Sequence, residues 1–182
     1  MTSSAYVILF RGVGGATQLP VKQLRTVLAE GNFGHVSTYI NSGNAVLSSE
    51  LDEPGVAERV AAIVRKEMGF EKHVLVRSHQ DWQGAISGNP FPDAVAEPTK
   101  LHLYALEREP DPEAIQKLTE KATGTERFTV QGRFLYLHTP DGMGRSLFAP
   151  KIEPTLKLAG TARNWRTVLA LEEMMRKIAS LD

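Results

Sequence analysis

Apolar positions in the first half of the chain change spacing repeatedly, and the changes spell out an order of elements. Tyr6 to Phe10 is an unbroken apolar run of strand length. Pro20 suits a first helical position, and Val21, Leu24, Val27 and Leu28 recur at helical spacing up to Gly31. His35 to Ile40 and Ala45 to Ser49 then read as two strands of a hairpin around Asn41-Ser42-Gly43-Asn44. Pro54 opens a second helix with the stripe Val56, Val60, Ile63, Val64 and Met68, stopped by Gly69. His73 to Arg77 closes the set as a strand.

The same order begins again after a breaker-rich stretch, 84–99, which contains Gly88, Pro90, Pro92 and Pro98. Lys100 to Leu106 alternates as a strand, and Asp111-Pro112 starts a helix carrying Ile115, Leu118 and Ala122. Phe128 to Val130 and Phe134 to His138 pair across Gln131-Gly132, and Val168, Leu171, Met175 and Ile178 mark a C-terminal helix. The repetition is one of element order, not of residues. It predicts an α+β protein of two ferredoxin-like (βαββαβ-type) subdomains in tandem. The boundaries expected are 1–83 for the first, a linker at 84–99, and 100–182 for the second with its C-terminal helix.

That topology has a consequence for chemistry. If the first strand runs up, the second also runs up and the third comes down beside the first. The loop after the first strand, Arg11 to Gly15, and the hairpin turn Asn41 to Asn44 then emerge at one end of the sheet, about 30 residues apart in sequence.

Both loops have the residues of a small anion site. Gly12, Gly14 and Gly15 follow a strand and precede a helix, where backbone N–H groups and a helix start can cradle a phosphate, and Arg11 adds a cation. The formal signatures are absent: Thr17 stands where a dinucleotide fingerprint needs Gly or Ala, and no Gly-Lys-Ser/Thr follows for a P-loop. A tight strand-to-helix turn with no ligand fits the same residues. Asn41, Ser42, Gly43 and Asn44 are equally the ordinary residues of a hairpin turn. Asp141-Gly142-Met143-Gly144-Arg145-Ser146 is a third turn of this kind. Thr161-Ala162-Arg163-Asn164-Trp165 is expected to open the last helix, with Thr161 as cap, Arg163 in the first turn and Trp165 in the core.

Composition narrows the classes. Twenty-one basic residues balance 21 acidic ones, so no global charge points to nucleic acid or a membrane. Between Arg127 and Arg166, however, seven basic residues face only Asp141 and Glu153, a local excess of five. There is no cysteine, which removes disulfides, thiolate catalysis and cysteine-bound zinc. None of the five histidines has a metal-ligand spacing, so no metal is expected, and no cofactor signature is present. The clusters Glu50 to Glu53, Glu107 to Glu113 and Glu172-Glu173 read as solvated faces and helix starts. The absence of an apolar leader or span leads to the expectation of a cytoplasmic protein without a membrane partner.

Taken together, Arg11-Gly12 with Gly14-Gly15, Thr38 to Asn44, Asn89-Pro90-Phe91, Asp141 to Ser146 and Thr161 to Trp165 resemble the bacterial family catalogued as domain of unknown function 1697. The resemblance covers nearly the whole chain and implies two α+β subdomains with no agreed activity. The first loop is two residues shorter here than the family's Arg-Gly-Ile-Asn-Val-Gly-Gly and lacks its asparagine, so a ligand contact by that residue does not carry over.

Three readings stand at this level. The first is a protein that binds a phosphate-bearing small molecule, a nucleotide or a nucleic-acid phosphate. Its site would comprise Arg11, Gly12, Gly14, Asn41, Ser42, Gly43, Asn44, Arg145, Ser146, Arg163 and Asn164. In particular, Arg11 and Arg163 are expected on one anion. The second is an enzyme of unstated reaction using the same groups to stabilise negative charge. The third is a ligand-free interaction module that meets another protein through a sheet edge or the Arg127–Arg166 face. Oligomeric state is left open.

Overall fold

A computed structural model describes residues 3–13 and 18–181. Two four-stranded antiparallel sheets alternate with helices along the chain, as the pattern predicts. The first contains β1 (Ser4–Phe10), β2 (Gly34–Thr38), β3 (Asn44–Ser49) and β4 (Val74–Ser78), in the order β2-β3-β1-β4. Helices α1 (Val21–Glu30) and α2 (Glu53–Met68) alternate with these strands. The second contains β5 (Leu101–Leu106), β6 (Arg127–Gln131), β7 (Phe134–His138) and β8 (Gly160–Asn164), in the order β6-β7-β5-β8. This is the ferredoxin-like arrangement twice over.

Each sheet carries a core against one face. In the first, Tyr6, Ile8 and Phe10 of β1 join Leu47, Val76, Leu24, Leu28, Val56, Val60 and Val64, so the helical stripes of α1 and α2 meet the inner row of the strands. Helix α2 is well delimited: Asp52 accepts a hydrogen bond from Gly55 N at 3.0 Å, and Gly69 ends it in the left-handed conformation. In the second, α4 (Pro112–Lys121) contributes Leu118, and the place of a long second helix is taken by two 3-10 turns and the five-residue α5 (Ile152–Leu156).

The two sheets match position by position. Val7 pairs with Val46 and Arg77, as Leu103 pairs with Tyr136 and Arg163. At the end of β1, Phe10 N donates to Gly43 O at 2.9 Å and Arg11 N to His73 O at 3.0 Å. At the end of β5, Leu106 N donates to Arg133 O at 2.9 Å and Glu107 N to Ala159 O at 3.0 Å. After β4, Ser78 Oγ accepts from Asp81 N at 3.1 Å and caps α3 (His79–Ser87). After β8, Asn164 Oδ1 accepts from Thr167 N at 3.0 Å and caps α6 (Trp165–Ala179).

Three expectations are corrected. Thr161 to Asn164 do not open the last helix; they form β8, the cap is Asn164 and α6 begins at Trp165. The stretch 84–99 is taken up by the end of α3 and a 3-10 turn at Pro92–Ala96, and the compact units are Met1–Gly84 with Leu169–Asp182, and Ala85–Val168. The C-terminal helix thus starts in the second unit, and its residues from Leu169 belong to the first. Finally, Glu172 is not part of a solvated face: it accepts from His79 Nε2 at 3.0 Å and from Gln83 Nε2 at 3.1 Å, and its other oxygen is buried. Trp165 is buried, as expected. No helix among the described residues is long and apolar enough to cross a membrane.

Candidate functional site

Three loops meet at one end of the first sheet. The Phe10 N–Gly43 O bond ties the hairpin to the end of β1, and the Arg11 N–His73 O bond ties in the connection from α2 to β4. The close approach requires a glycine at 43. Its φ is +75°, and a Cβ there would lie 3.0 Å from Phe10 Cβ and from Val13 Cβ. Antiparallel pairing of β3 and β4 on either side of β1 makes this convergence a property of the topology.

Within the hairpin, Asn44 is buried and structural. Its Nδ2 donates to Tyr39 O at 3.2 Å and to Ser42 Oγ at 3.1 Å, while Tyr39 N donates to Asn44 O at 3.1 Å. Gly43 is likewise buried, so both frame the turn. Asn41 is exposed and Ser42 half-buried. Ile40 at the tip has a φ of +47°, an uncommon conformation for a β-branched residue, and is 55% exposed.

Arg11 and Gly12 are exposed beside the hairpin. Gly12 has a φ of +73°, and the nearest atom to a Cβ built on it is Lys72 Nζ at 3.7 Å. Lys72 is the functional candidate that the sequence reading missed. Its ammonium lies 5.8 Å from the centre of the Phe70 ring, which itself packs edge-on to Phe10 at 6.4 Å. A signal for it existed: in a βαββαβ sheet the connection into the fourth strand emerges at the same end as the first loop and the hairpin. Gly14, with Gly15, Ala16 and Thr17, lies outside the described residues.

The remaining predicted residues are in the second unit. Arg145 lines a cleft of about 200 Å³ with Lys121, Lys151, Glu126 and Asp141. Ser146 is buried, donates to Glu126 Oε2 at 2.8 Å and accepts from Phe148 N and Ala149 N, which pins the following turn. Arg163 is 9% exposed; Nη1 donates to Thr161 Oγ1 at 2.7 Å and to Ala162 O at 2.8 Å, and burial lowers its pKa to about 10. Its counterpart Arg77 is also buried, donates to Val76 O at 2.6 Å and has Glu53 Oε1 at 3.7 Å. These arginines are interior groups of the last strand in each sheet. Asn164 is the α6 cap. Asn89-Pro90-Phe91 is structural too: Asn89 Oδ1 accepts from Phe91 N at 3.0 Å, and the ring lies 4.7 Å beneath the Arg127 guanidinium.

Titration shifts inside the second unit follow burial. Burial pulls the pKa of His102 down to about 4, raises that of Tyr136 to about 12 and raises that of Tyr104 further. All three are interior residues of the second sheet, and desolvation is the first cause in each, the pattern of a core rather than of an acid–base pair. A cleft of about 320 Å³ at the other end of the first sheet is lined by Ser3, Ser4, Tyr6, Ser78, His79 and Gln83 among others, with neither lysine nor arginine among the described residues. Among the described residues no group of three or more His, Cys, Asp or Glu side chains is placed to hold a metal ion.

Comparison with known proteins agrees with the fold. The model of a family described as "Protein of unknown function (DUF1697)" matches residues 3–136. A solved structure of the conserved bacterial protein SP0830 from Streptococcus pneumoniae superposes with a TM-score of 0.75 at 17% identity, over 96% of this chain and 99% of that one. No curated protein matches the chain.

Proposed function

The chain belongs to the DUF1697 family of proteins of unknown function, and from that premise we propose that it binds a phosphate-bearing ligand at the loop end of the first sheet. One observation carries this reading: Gly12, in the left-handed conformation and exposed, stands beside the Lys72 ammonium where the hairpin is stitched to β1. Arg11 and Lys72 supply charge to the anion, and the Gly12 backbone can approach it closely because no Cβ intervenes. Asn41 and Ser42 contribute amide and hydroxyl groups that orient the rest of the ligand. Gly43 and Asn44 hold the turn, and Arg145, Ser146, Arg163 and Asn164 are left out of the site.

Thermal shift with inorganic phosphate, nucleotides, sugar phosphates and a short RNA tests the reading. A ligand at a hundred times its Kd adds about 2.7 kcal/mol to stability, enough to move the melting temperature measurably. Lys72→Ala and Arg11→Ala are expected to lose the shift, whereas Arg145→Ala keeps it. A melting temperature unmoved by all of these probes overturns the proposal.

A further inference from the structure

The outer edges of the two sheets are built differently. In the first, β2 is irregular: its register against β3 shifts between Gly34 and Ser37, and His35 has a φ of +48°. A bulge of this kind spoils an edge as a template for another strand. Strand β6 has no such device. It pairs with β7 without a break from Arg127↔His138 to Gln131↔Phe134, closed by a two-residue turn with Gly132 at φ +56°. The strand contains neither proline nor lysine. Its one charge, Arg127, is held by Asp93 at 2.7 Å.

The register decides which backbone groups face outward. The closing pair of a two-residue hairpin is hydrogen-bonded, so Gln131, Thr129 and Arg127 bond to β7, while Phe128 and Val130 direct N–H and C=O away from it. Among the described residues, no backbone hydrogen bond reaches β6 from outside its hairpin. The side chains of Phe128 and Val130 are half-buried on the core of the second unit, with Phe128 5.1 Å from the Phe148 ring.

We propose that the β6 edge pairs antiparallel with the β6 edge of a second copy of this chain, about a two-fold axis at Thr129. That register is self-complementary. It sets Phe128 against Val130 of the second copy, the two residues with outward backbone groups, so both such pairs become hydrogen-bonded. Arg127 falls opposite Gln131, and no like charges meet. Each apolar side chain at the rim of one core is covered by the other copy, and the two four-stranded sheets become one. The contact is small, which makes it a reversible, concentration-dependent dimer.

Sedimentation velocity over a range of concentrations reads the association, and amide hydrogen exchange reads the register. Unsubstituted protein is expected to show a monomer–dimer equilibrium in which exchange at Phe128 and Val130 slows as concentration rises, while Thr129 is unchanged. Thr129→Lys and Thr129→Glu each place like charges across the axis and weaken self-association by about tenfold; mixing the two variants restores it. A monomer at every concentration overturns the proposal. So does exchange at Phe128 and Val130 that is independent of concentration, or a dimer indifferent to both substitutions. The exchange measurement needs no variant and decides the matter even where a Thr129 substitution fails to fold.

Discussion

Arg11 and Glu107 occupy the same place in the two halves, each bonding through its backbone N–H to the connection into the last strand at 3.0 Å. Their surroundings then diverge. In the second half Glu107 Oε1 accepts from Ala159 N at 3.2 Å and Glu153 Oε1 from Gly160 N at 2.7 Å, so carboxylates of the unit close its own loop end. In the first half the same end presents Arg11, Lys72 and an open Gly12. The backbone frame and the inner rows of side chains are what the fold requires, and both halves keep them. Side chains on the loop ends bear no part of the core, so their charge can differ without cost to the sheet. The two loop ends share a backbone frame and differ in the side chains that meet it.

The largest effects test whether the two helices after the last strands are equivalent anchors. Trp82 in α3 and Trp165 in α6 are both fully buried, and truncating either to alanine is expected to cost roughly 3–5 kcal/mol. Urea unfolding monitored by circular dichroism measures this. A midpoint shifted by one substitution alone would break the equivalence.

The next contrast is between Tyr6 and His102, which hold the same position in β1 and β5. Tyr6 OH donates to Leu51 O at 2.8 Å, whereas His102 is buried with Nδ1 unbonded. The folded pKa of His102, about 4, lies below its ordinary 6.5, so the unfolded chain takes up the proton first. Stability from the neutral ring is complete above about pH 6.5 and falls as the pH drops through 4, by about 3 kcal/mol in all. His102→Phe is expected to flatten that part of the stability profile, measured by denaturant unfolding between pH 7 and pH 4, in the ~2–3 kcal/mol range of one buried group. An unchanged slope would place the pH dependence elsewhere.

The paired caps predict a smaller and equal effect. Ser78→Ala and Asn164→Ala each remove the acceptor for one backbone N–H, at about 1 kcal/mol apiece in thermal unfolding. Smallest of all is the stability change at the loop ends, where Lys72→Ala is expected to stay within about 0.5 kcal/mol of the unsubstituted protein. It should nonetheless lose the thermal shift given by phosphate-bearing probes. A large stability loss at Lys72 would make it a structural residue and remove the contrast between the two ends.

The strands that the sequence disclosed are those whose inner rows are apolar, such as Tyr6 to Phe10 and Phe134 to His138. Strand β8 was not legible because its core-facing row supplies little beyond Ala162, while the opposite face buries Thr161 and Arg163. A run of Gly, Thr, Ala, Arg and Asn has no apolar alternation, and its local chemistry favours a cap. The role of Asn44 was open for the opposite reason: turn former and ligand group are the same residue type, and only the bonds to Tyr39 and Ser42 distinguish them.

The order β1-α1-β2-β3-α2-β4 follows from residue spacing alone, and that order suffices to bring the first loop and the hairpin to one end of a sheet. Local propensity and the period of apolar positions act over a few residues, so they are written in the chain. Which cations reach that end, which arginines are interior, and which of two edges is regular depend on partners tens of residues away. Lys72 meets Gly12 only because β4 pairs with β1, and Arg163 is buried only because β8 pairs with β5. Strand pairing is non-local, and it decides where each charge comes to rest.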